Sequence, residues 1–262
     1  MQSISSLQND RIKQLIKLQQ RSRSRKQTGM FCIEGIREIE RALLGGYQME
    51  HFYRVVPEKT PSEKIETLLE GSEAKTTWVT PKIMEQLCYR TSNQVLAVAH
   101  QKKHDLGEIK FSDQGLYLIV EGIEKPGNLG ALLRTAGGLG LDGVWIVNKQ
   151  TDLYHPNCIR NSMGAVFRIP TVVGALEEWR PFFQKENISI IGAALHNQSI
   201  PLEQVKFQRP CAIAVGNEAE GLSNALIEEC FVLAKIPMAN DIDSLNVSVA
   251  AAMFMHQALQ WS

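Results

Sequence analysis

The sequence predicts an α/β protein made of two domains. Short apolar runs alternate with helical patterns along its 262 residues, as expected for a chain built from βα units. A chain of this length fits one large domain or two modest ones, and two is the better expectation. The polar segment 106–114, which includes Gly107, reads as a linker. We therefore expect a first domain at residues 1–105 and a second at residues 115–262.

The first domain is predicted to be a small α/β unit. Apolar residues such as Ile12, Leu15 and Leu18 recur at near-helical spacing, which indicates an amphipathic helix over residues 8–20 with a basic outer face. The elements that follow are a strand at 30–34, a helix at 34–44, a strand at 51–56, a helix at 61–70, a strand at 76–79, a helix at 81–88 and a strand at 94–99.

The second domain begins with the continuous apolar run Leu116 to Val120, which is typical of a strand buried in a parallel sheet. The predicted elements after it are a helix at 128–139, a strand at 143–147, a helix at 156–162, a strand at 165–169, a helix at 176–185, strands at 188–193, 211–215 and 231–236, and a helix at 244–260. The last helix has a broad apolar face, which suggests packing against a partner as well as its own sheet.

Composition excludes several classes of protein. No apolar run approaches the roughly 20 residues that a membrane helix needs. The N-terminal residues lack a basic segment followed by an apolar one, so no signal peptide is expected. The five cysteines are scattered and never spaced as C-x-x-C, which argues against disulfides and zinc. We expect a cytoplasmic protein without a metal or a membrane anchor.

The net charge of zero hides an uneven distribution. Residues 1–110 hold 18 Lys and Arg against 13 Asp and Glu, whereas residues 111–262 hold 10 against 15. Much of the surplus lies in one stretch that contains Arg11, Lys13, Lys17, Arg21, Arg23, Arg25 and Lys26. Such a cluster is what phosphate binding requires, but a solvated basic helix explains it equally well.

Three segments concentrate Gly, Asn, Ser and Pro directly after predicted strands: Val120 to Thr135, Ala214 to Ser223, and Ile236 to Ser248. Ligands of α/β sheets bind outside the carboxyl ends of strands, so the three segments together predict one binding site. The segment Gly127 to Gly130 does not match G-x-G-x-x-G, which disfavours a nicotinamide enzyme.

In order and in sequence, the three segments resemble the motifs of the SpoU branch of the SPOUT methyltransferases, which includes ribose 2′-O-methyltransferases of rRNA and tRNA. Residues 31–38 and 93–98 resemble the N-terminal substrate-binding domain of many members, and residues 160–167 fit a family stretch between the first two motifs. The resemblance implies a C-terminal SPOUT domain with a deep trefoil knot, preceded by a small, ribosomal-protein-like α/β domain that binds RNA. Members usually have Gly at the position of Asn240, where we expect Asn to preserve a left-handed turn.

The resemblance also implies S-adenosylmethionine as cofactor, a homodimer, and an RNA substrate, with ribosomal RNA favoured over tRNA. The cofactor-binding residues that carry over are Gly216, Ile236 and Leu245. The catalytic residues that carry over are Asn128, Arg134, Glu218, Ser244 and Asn246. The expected RNA contacts are Arg11, Lys17, Arg21, Arg23, Arg25 and Arg160.

The expected role of Arg134 is electrostatic, because a guanidinium is essentially never neutral in a protein. Arg134 would hold the neighbouring RNA phosphate and stabilise the developing alkoxide. Glu218 would orient either Arg134 or Asn128, while Ser244 and Asn246 would fix the ribose. The alternatives are methylation of a base nitrogen, an RNA-binding module without catalysis and, more remotely, a nicotinamide enzyme.

Overall fold

A computed structural model describes residues 3–56, 63–70, 72–90, 95–240 and 243–260. The predicted helix start at Pro61, the predicted strand start at Gln94 and the first residue of the segment 93–98 lie outside the described residues.

The described residues confirm an alternating α/β chain. Its helices are α1 (Asp10–Gln20), α2 (Ser22–Thr28), α3 (Ile36–Leu44), α4 (Glu63–Glu70), α5 (Pro81–Leu87), α6 (Pro126–Gly138), α7 (Pro156–Asn161), α8 (Leu176–Lys185), α9 (Asn224–Glu229) and α10 (Val247–Leu259). Its strands are β1 (Met30–Glu34), β2 (Met49–Val55), β3 (Lys75–Val79), β4 (Val95–His100), β5 (Leu116–Glu121), β6 (Gly143–Val147), β7 (Thr171–Gly174), β8 (Ser189–Ala193), β9 (Ile200–Pro201), β10 (Cys211–Val215) and β11 (Val232–Lys235).

The chain packs as two compact units. Unit 1 comprises Met1–Lys103 together with Leu153–Arg168, and unit 2 comprises His104–Asp152 together with Ile169–Ser262. This division differs from the predicted domains, because α7 packs against β1 and buries its apolar side chains inside unit 1. Part of the predicted linker also belongs to unit 2, since Ile109 is buried in the core of that unit.

Unit 1 is built on a four-stranded sheet in the order β1-β4-β2-β3. Strand β4 is antiparallel to β1 and β2, while β2 and β3 run parallel. Helix α1 buries Ile12, Leu15 and Leu18 against this sheet, as their spacing predicts.

The basic stretch after α1 forms a second short helix, α2, that the sequence analysis did not predict. Arg25 lies in it and is 1% exposed. Its Nη1 donates to the carbonyl oxygens of Leu18 and Gln19, at 2.5 and 3.0 Å, in the last turn of α1. The guanidinium thus closes the C-terminus of α1. The prediction of Arg25 as an RNA contact is therefore wrong, because its side chain is buried and committed to the fold.

Unit 2 is built on a seven-stranded sheet in the order β7-β6-β5-β10-β8-β11-β9. Its paired strands are all parallel. After β5 the chain proceeds to β6 and β7 on one side, and the later strands lie on the other side of β5. The order therefore reverses between β5 and β10, and the crevice outside the carboxyl ends of two such strands is where open α/β sheets bind ligands.

Two predictions of local structure in the second half are wrong. The expected strand at 165–169 is a 3₁₀ helix over Ala165–Phe167, which follows the left-handed Gly164, and the strand begins only at Thr171. A short apolar run does not distinguish a strand from a buried helical turn. The helix expected at 128–139 begins two residues earlier, at Pro126, so Asn128 is its third residue.

No helix in the described part of the chain is both long and apolar enough to cross a membrane.

Candidate active site

The three segments singled out in the sequence converge at the carboxyl edge of the sheet in unit 2. The first leads from β5 into α6, the second follows β10, and the third joins β11 to α10. Strands β5 and β10 are adjacent and parallel, and α10 packs against α6. Elements far apart in the sequence thus bring the three segments to one place.

Three predicted catalytic residues form one hydrogen-bonded chain. The Nδ2 of Asn128 donates to Oε1 of Glu218 at 2.5 Å. The Nδ2 of Asn246 donates to Oδ1 of Asn128 at 3.2 Å. The chain contains one residue from each segment, so it links the first helical turns of α6 and α10 to the loop after β10.

The direction of this hydrogen-bonded chain is determined at both of its ends. The Oδ1 of Asn246 accepts from the backbone N–H of Ser248 at 2.9 Å, and this N–H can only donate. The carboxylate of Glu218 can only accept. Each carboxamide between these ends must therefore present its oxygen toward α10 and its nitrogen toward Glu218. A flip of either carboxamide would set donor against donor or acceptor against acceptor.

Asn246 is the N-cap of α10. The helix predicted at 244–260 begins later than expected, because α10 starts at Val247 and the side chain of Asn246, not of Ser244, accepts from the first turn. Ser244 is exposed in the preceding loop. Both Ser and Asn are common N-caps, so only the position of the helix start distinguishes them.

Arg134 is exposed on α6, six residues beyond Asn128 and about 9 Å further along the helix axis. Its guanidinium has neither a hydrogen bond nor an ion pair with any residue that the structure describes. Of the two partners expected for Glu218, the structure has Asn128 and not Arg134. Arg134 is thus the unpaired cation of the predicted catalytic set.

The loop after β10 is held by Asn217 and by two glycines. The Oδ1 of Asn217 accepts from the amides of Ala219 and Glu220 at 2.8 and 3.1 Å, and its Nδ2 donates to the carbonyl of Gly122 at 3.1 Å. A Cβ at Gly216 would overlap the carbonyl group of Gly221. Gly216 is therefore required for the tight return of this loop.

The segment between β11 and α10 leaves main-chain groups available. Ile236 and Met238 are partly buried, and Leu245 is 36% exposed. The amides and carbonyls of residues 238–240 and of Leu245 make no hydrogen bond with the described residues. Asn240 has φ +61°, which confirms the expected left-handed turn. The segment offers apolar surface beside unpaired backbone donors and acceptors.

A buried carboxylate that the sequence analysis did not single out supports the same edge. Glu121 ends β5 and is 4% exposed. It accepts from the amide and the hydroxyl of Ser223 at 2.8 and 2.7 Å, and from Nδ2 of Asn148 at 3.0 Å. The signal in the sequence is an acid at the end of an otherwise apolar strand. Glu121 ties the ends of β5 and β6 to the N-cap of α9.

The predicted RNA contacts lie in unit 1. Arg11, Lys17, Arg21 and Arg23 are exposed on or beside α1 and α2. Arg160 is partly buried, and its guanidinium lies 3.8 Å from the ring centre of Tyr89. All of these cations belong to unit 1, whereas the three segments of the site belong to unit 2.

Among the described residues, no group of three or more His, Cys, Asp or Glu side chains is arranged to hold a metal ion.

Comparison with known proteins agrees with this geometry. RlmP, the 23S rRNA (guanosine(2553)-2′-O)-methyltransferase of Bacillus subtilis, is 29% identical over 98% of each chain. An AdoMet-bound rRNA methyltransferase from Sinorhizobium meliloti has a TM-score of 0.88 and 25% identity, over 99% of this chain and 97% of that one. The SpoU methyltransferase AviRb from Streptomyces viridochromogenes, solved in complex with AdoMet, has a TM-score of 0.86 and 25% identity, over 96% of this chain and 98% of that one.

Family models match both halves of the sequence. The model of the MRM3-like substrate binding domain matches residues 9–97. The model of the SpoU rRNA methylase family matches residues 115–256, which contain all three segments of the site. The chain therefore belongs to the SpoU rRNA methylase family.

Proposed function

We propose that this protein transfers a methyl group from S-adenosylmethionine to a ribose 2′-hydroxyl of ribosomal RNA. The observation that carries the proposal is the oriented chain of Asn128, Glu218 and Asn246, with the exposed cation of Arg134 on the same helix as Asn128. Family membership and the similarity to 2′-O-methyltransferases of rRNA support the reaction and the substrate class.

The residues at the edge of the sheet fit S-adenosylmethionine. The unpaired main-chain groups of residues 238–240 and Leu245 suit the polar edge of an adenine, and Ile236 and Met238 suit its faces. Gly216 lets the backbone of the loop after β10 approach a ligand closely. When bound, the cofactor would supply a methyl group activated on a sulfonium.

Arg134 is proposed to act on the RNA. A 2′-hydroxyl is a poor nucleophile and must lose its proton as it attacks. The exposed guanidinium of Arg134 would bind the adjacent phosphate and stabilise the negative charge that develops on the 2′-oxygen. Since a guanidinium does not act as a base, the proton would pass to that phosphate or to water.

The proposed role of the hydrogen-bonded chain is to fix the positions of the side chains that surround the bound ribose. Asn246 uses both ends of its carboxamide, at Ser248 and at Asn128, so it would position Asn128 and Glu218 rather than hold the ribose itself. The exposed hydroxyl of Ser244 remains available to contact the ribose.

We also propose the finer features that the family resemblance implies. The segment between β11 and α10 would form part of a trefoil knot, and a homodimer would cover the exposed apolar side chains of α10, such as Val249 and Met253, which are 50% and 43% exposed. An enzyme of ribosomal RNA would act in the cytoplasm.

The test combines cofactor binding with analysis of the product. Calorimetry should detect binding of S-adenosylmethionine to the full chain. Ribosomal RNA incubated with both should then yield a 2′-O-methylated nucleoside and a linkage that resists alkali. Methylation of tRNA but not of ribosomal RNA would show that the substrate class is tRNA. A methylated base without an alkali-resistant linkage would contradict the proposed reaction. Failure to bind S-adenosylmethionine would favour an RNA-binding module without catalysis.

A further inference from the structure

Unit 1 contains a cavity that the proposed reaction does not use. Together with the solvent space at its mouth, it measures about 380 Å³. The end of β1 contributes Cys32 and Glu34, the start of α3 contributes Glu38, and α7 contributes Arg160. Arg90 completes this part of the lining. All of these residues belong to unit 1.

The inner part of the cavity presents hydrogen-bond acceptors. Glu38 is 7% exposed and accepts from Arg37 through Oε1. Glu34 accepts from the backbone amide of Tyr89 through Oε2, at 2.9 Å. The second oxygen of each carboxylate has no hydrogen bond to the described residues. Burial raises the pKa of the Cys32 thiol, so that Cys32 adds a neutral group to the lining.

An aromatic ring and two cations lie beside these carboxylates, the ring through its contact with Arg160 and the cations in the lining itself. Tyr89 is 74% exposed although it is a large aromatic side chain. The guanidinium of Arg160 stacks on this ring, 3.8 Å from its centre, and Arg160 is held in place by Oδ1 of Asn157. Arg90 is exposed beside it. Glu38 is thus buried, Glu34 and Arg160 are partly buried, and Tyr89 and Arg90 are exposed.

This arrangement of carboxylates, aromatic ring and guanidinium groups suits one nucleotide of single-stranded RNA. A phosphate would be repelled by the two carboxylates but attracted by Arg90 and Arg160. A divalent cation would be repelled by the same arginines. An unpaired base can stack on Tyr89 or Arg160, as bases do in single-stranded RNA recognition. An ionised carboxylate only accepts hydrogen bonds, so it selects a base edge with adjacent donors. Guanine has such an edge at N1–H and its amino group.

We propose that this cavity binds an unpaired guanine of the RNA substrate, with Glu34 and Glu38 accepting from the base edge and Tyr89 and Arg160 stacking on its face. The proposal rests on the proposed function only in taking RNA as the ligand. It assigns to unit 1 a choice of base in addition to the attraction of phosphates that the basic helices provide.

The experiment measures fluorescence anisotropy of the full chain with a labelled oligouridine of about ten nucleotides. The central position is guanosine, inosine, adenosine or uridine. Inosine lacks only the amino group of guanosine, so it isolates that donor. The guanosine probe should bind most tightly. Tyr89→Ala should weaken its binding by about fivefold or more, because stacking is worth about 1–3 kcal/mol per base, while Tyr89→Phe should retain it.

A second variant tests the acceptors. Glu34→Gln can still accept from the Tyr89 amide, but its remaining polar atom becomes a donor, so the preference for guanosine over inosine should disappear. Equal binding of the four probes, binding of none, an equal loss in Tyr89→Ala and Tyr89→Phe, or a retained preference in Glu34→Gln would each overturn the proposal.

Cofactor binding distinguishes this proposal from the proposed reaction. Tyr89→Ala should bind S-adenosylmethionine with the affinity of the unmodified chain. If the unmodified chain fails to bind the cofactor, the proposed reaction is excluded. The base preference of the cavity is decided separately, by the anisotropy measurements.

Discussion

The carboxamide of Asn246 donates to Oδ1 of Asn128 at 3.2 Å across a sequence separation of 118 residues. Asn246 also caps α10, and Asn128 also donates to Glu218. The start of the last helix and the loop after β10 are therefore coupled through two side chains, each of which has a single satisfactory orientation.

Asn246→Asp should separate helix capping from the geometry of the site. Aspartate caps helices as well as asparagine does, so the free energy of unfolding should change by less than about 1 kcal/mol. A carboxylate cannot donate to Asn128, and a flipped Asn128 would turn its oxygen toward Glu218. Methyl transfer should therefore fall at least about tenfold, measured as kcat at saturating RNA.

The matched control for this change is Asn9→Asp. Asn9 is the exposed N-cap of α1, in unit 1, where it accepts from the backbone N–H of Arg11, so the same substitution is made at a helix cap outside the site. If Asn246→Asp kept full activity, the orientation of the hydrogen-bonded chain would have no part in the reaction.

Arg134→Ala should lower kcat by about 100-fold, in the range seen when one group that stabilises an oxyanion is removed. The affinity for S-adenosylmethionine should not change, because Arg134 lies outside the segments proposed to hold it. Arg134→Lys should recover part of the rate, since it restores a cation without the paired donors. A loss of less than about tenfold in Arg134→Ala would exclude the proposed role.

Glu121→Ala should destabilise unit 2 by about 1–3 kcal/mol, because the donors of Ser223 and Asn148 lose their acceptor. The measurement is the urea midpoint of unfolding. Glu220→Ala is the control, since this exposed side chain has no hydrogen bond with the described residues, and its effect should be within about 0.5 kcal/mol. Equal midpoints for the two variants would contradict the supporting role of Glu121.

The double change Arg21→Glu and Arg23→Glu should weaken RNA binding and reduce its dependence on salt. If each arginine contacts one phosphate, the slope of log K against log salt should fall by about 1.5–2. The control is Lys82→Glu with Lys110→Glu, which changes the net charge equally at two exposed positions outside the basic stretch. In this control the slope of log K against log salt should stay close to that of the unmodified chain. A solvated helix without a role in binding predicts equal slopes for the two variants. Arg25 should not be included, because its replacement would disturb the fold.

Glu34→Gln should alter the dependence of stability on pH. Burial is the main cause that raises the pKa of Glu34 above its ordinary value of 4.5. The folded state then binds more protons than the unfolded state, so the free energy of unfolding falls as the pH rises from 4.5 through the raised pKa. The variant should lack this loss. The loss is measured from the urea midpoints of both proteins at pH 4.5 and near neutral pH. Parallel pH profiles of the two proteins would contradict the contribution of Glu34.

The sequence pattern predicted the parts of the fold that depend on local order. Continuous apolar runs located β5 and β10, and the three polar segments after strands led to the correct edge of the sheet. The left-handed turn at Asn240 followed from the family resemblance together with the residue type. These features are predictable because each depends on a few neighbouring residues and on the parallel arrangement of the strands.

The features that the pattern missed depend on distant partners. Arg25 looks like any arginine of a basic stretch, and its burial follows from the way that α2 meets α1. Asn246 and Ser244 are equivalent as cap types, and only the position of the helix start in the folded chain distinguishes them. The spacing of α7 shows that it is amphipathic but not which sheet it covers.

The packing of Leu153–Arg168 into unit 1 has a consequence for how the protein can be divided. The chain crosses between the units three times, so no single cut releases either unit whole. A fragment that ends at Lys103 would lack α7, the source of Arg160 in the cavity, and would expose the surface that α7 covers. A fragment that starts at His104 would carry α7 without its sheet. Separate expression of the units would require residues 153–168 to be grafted onto the first and replaced by a short connection in the second.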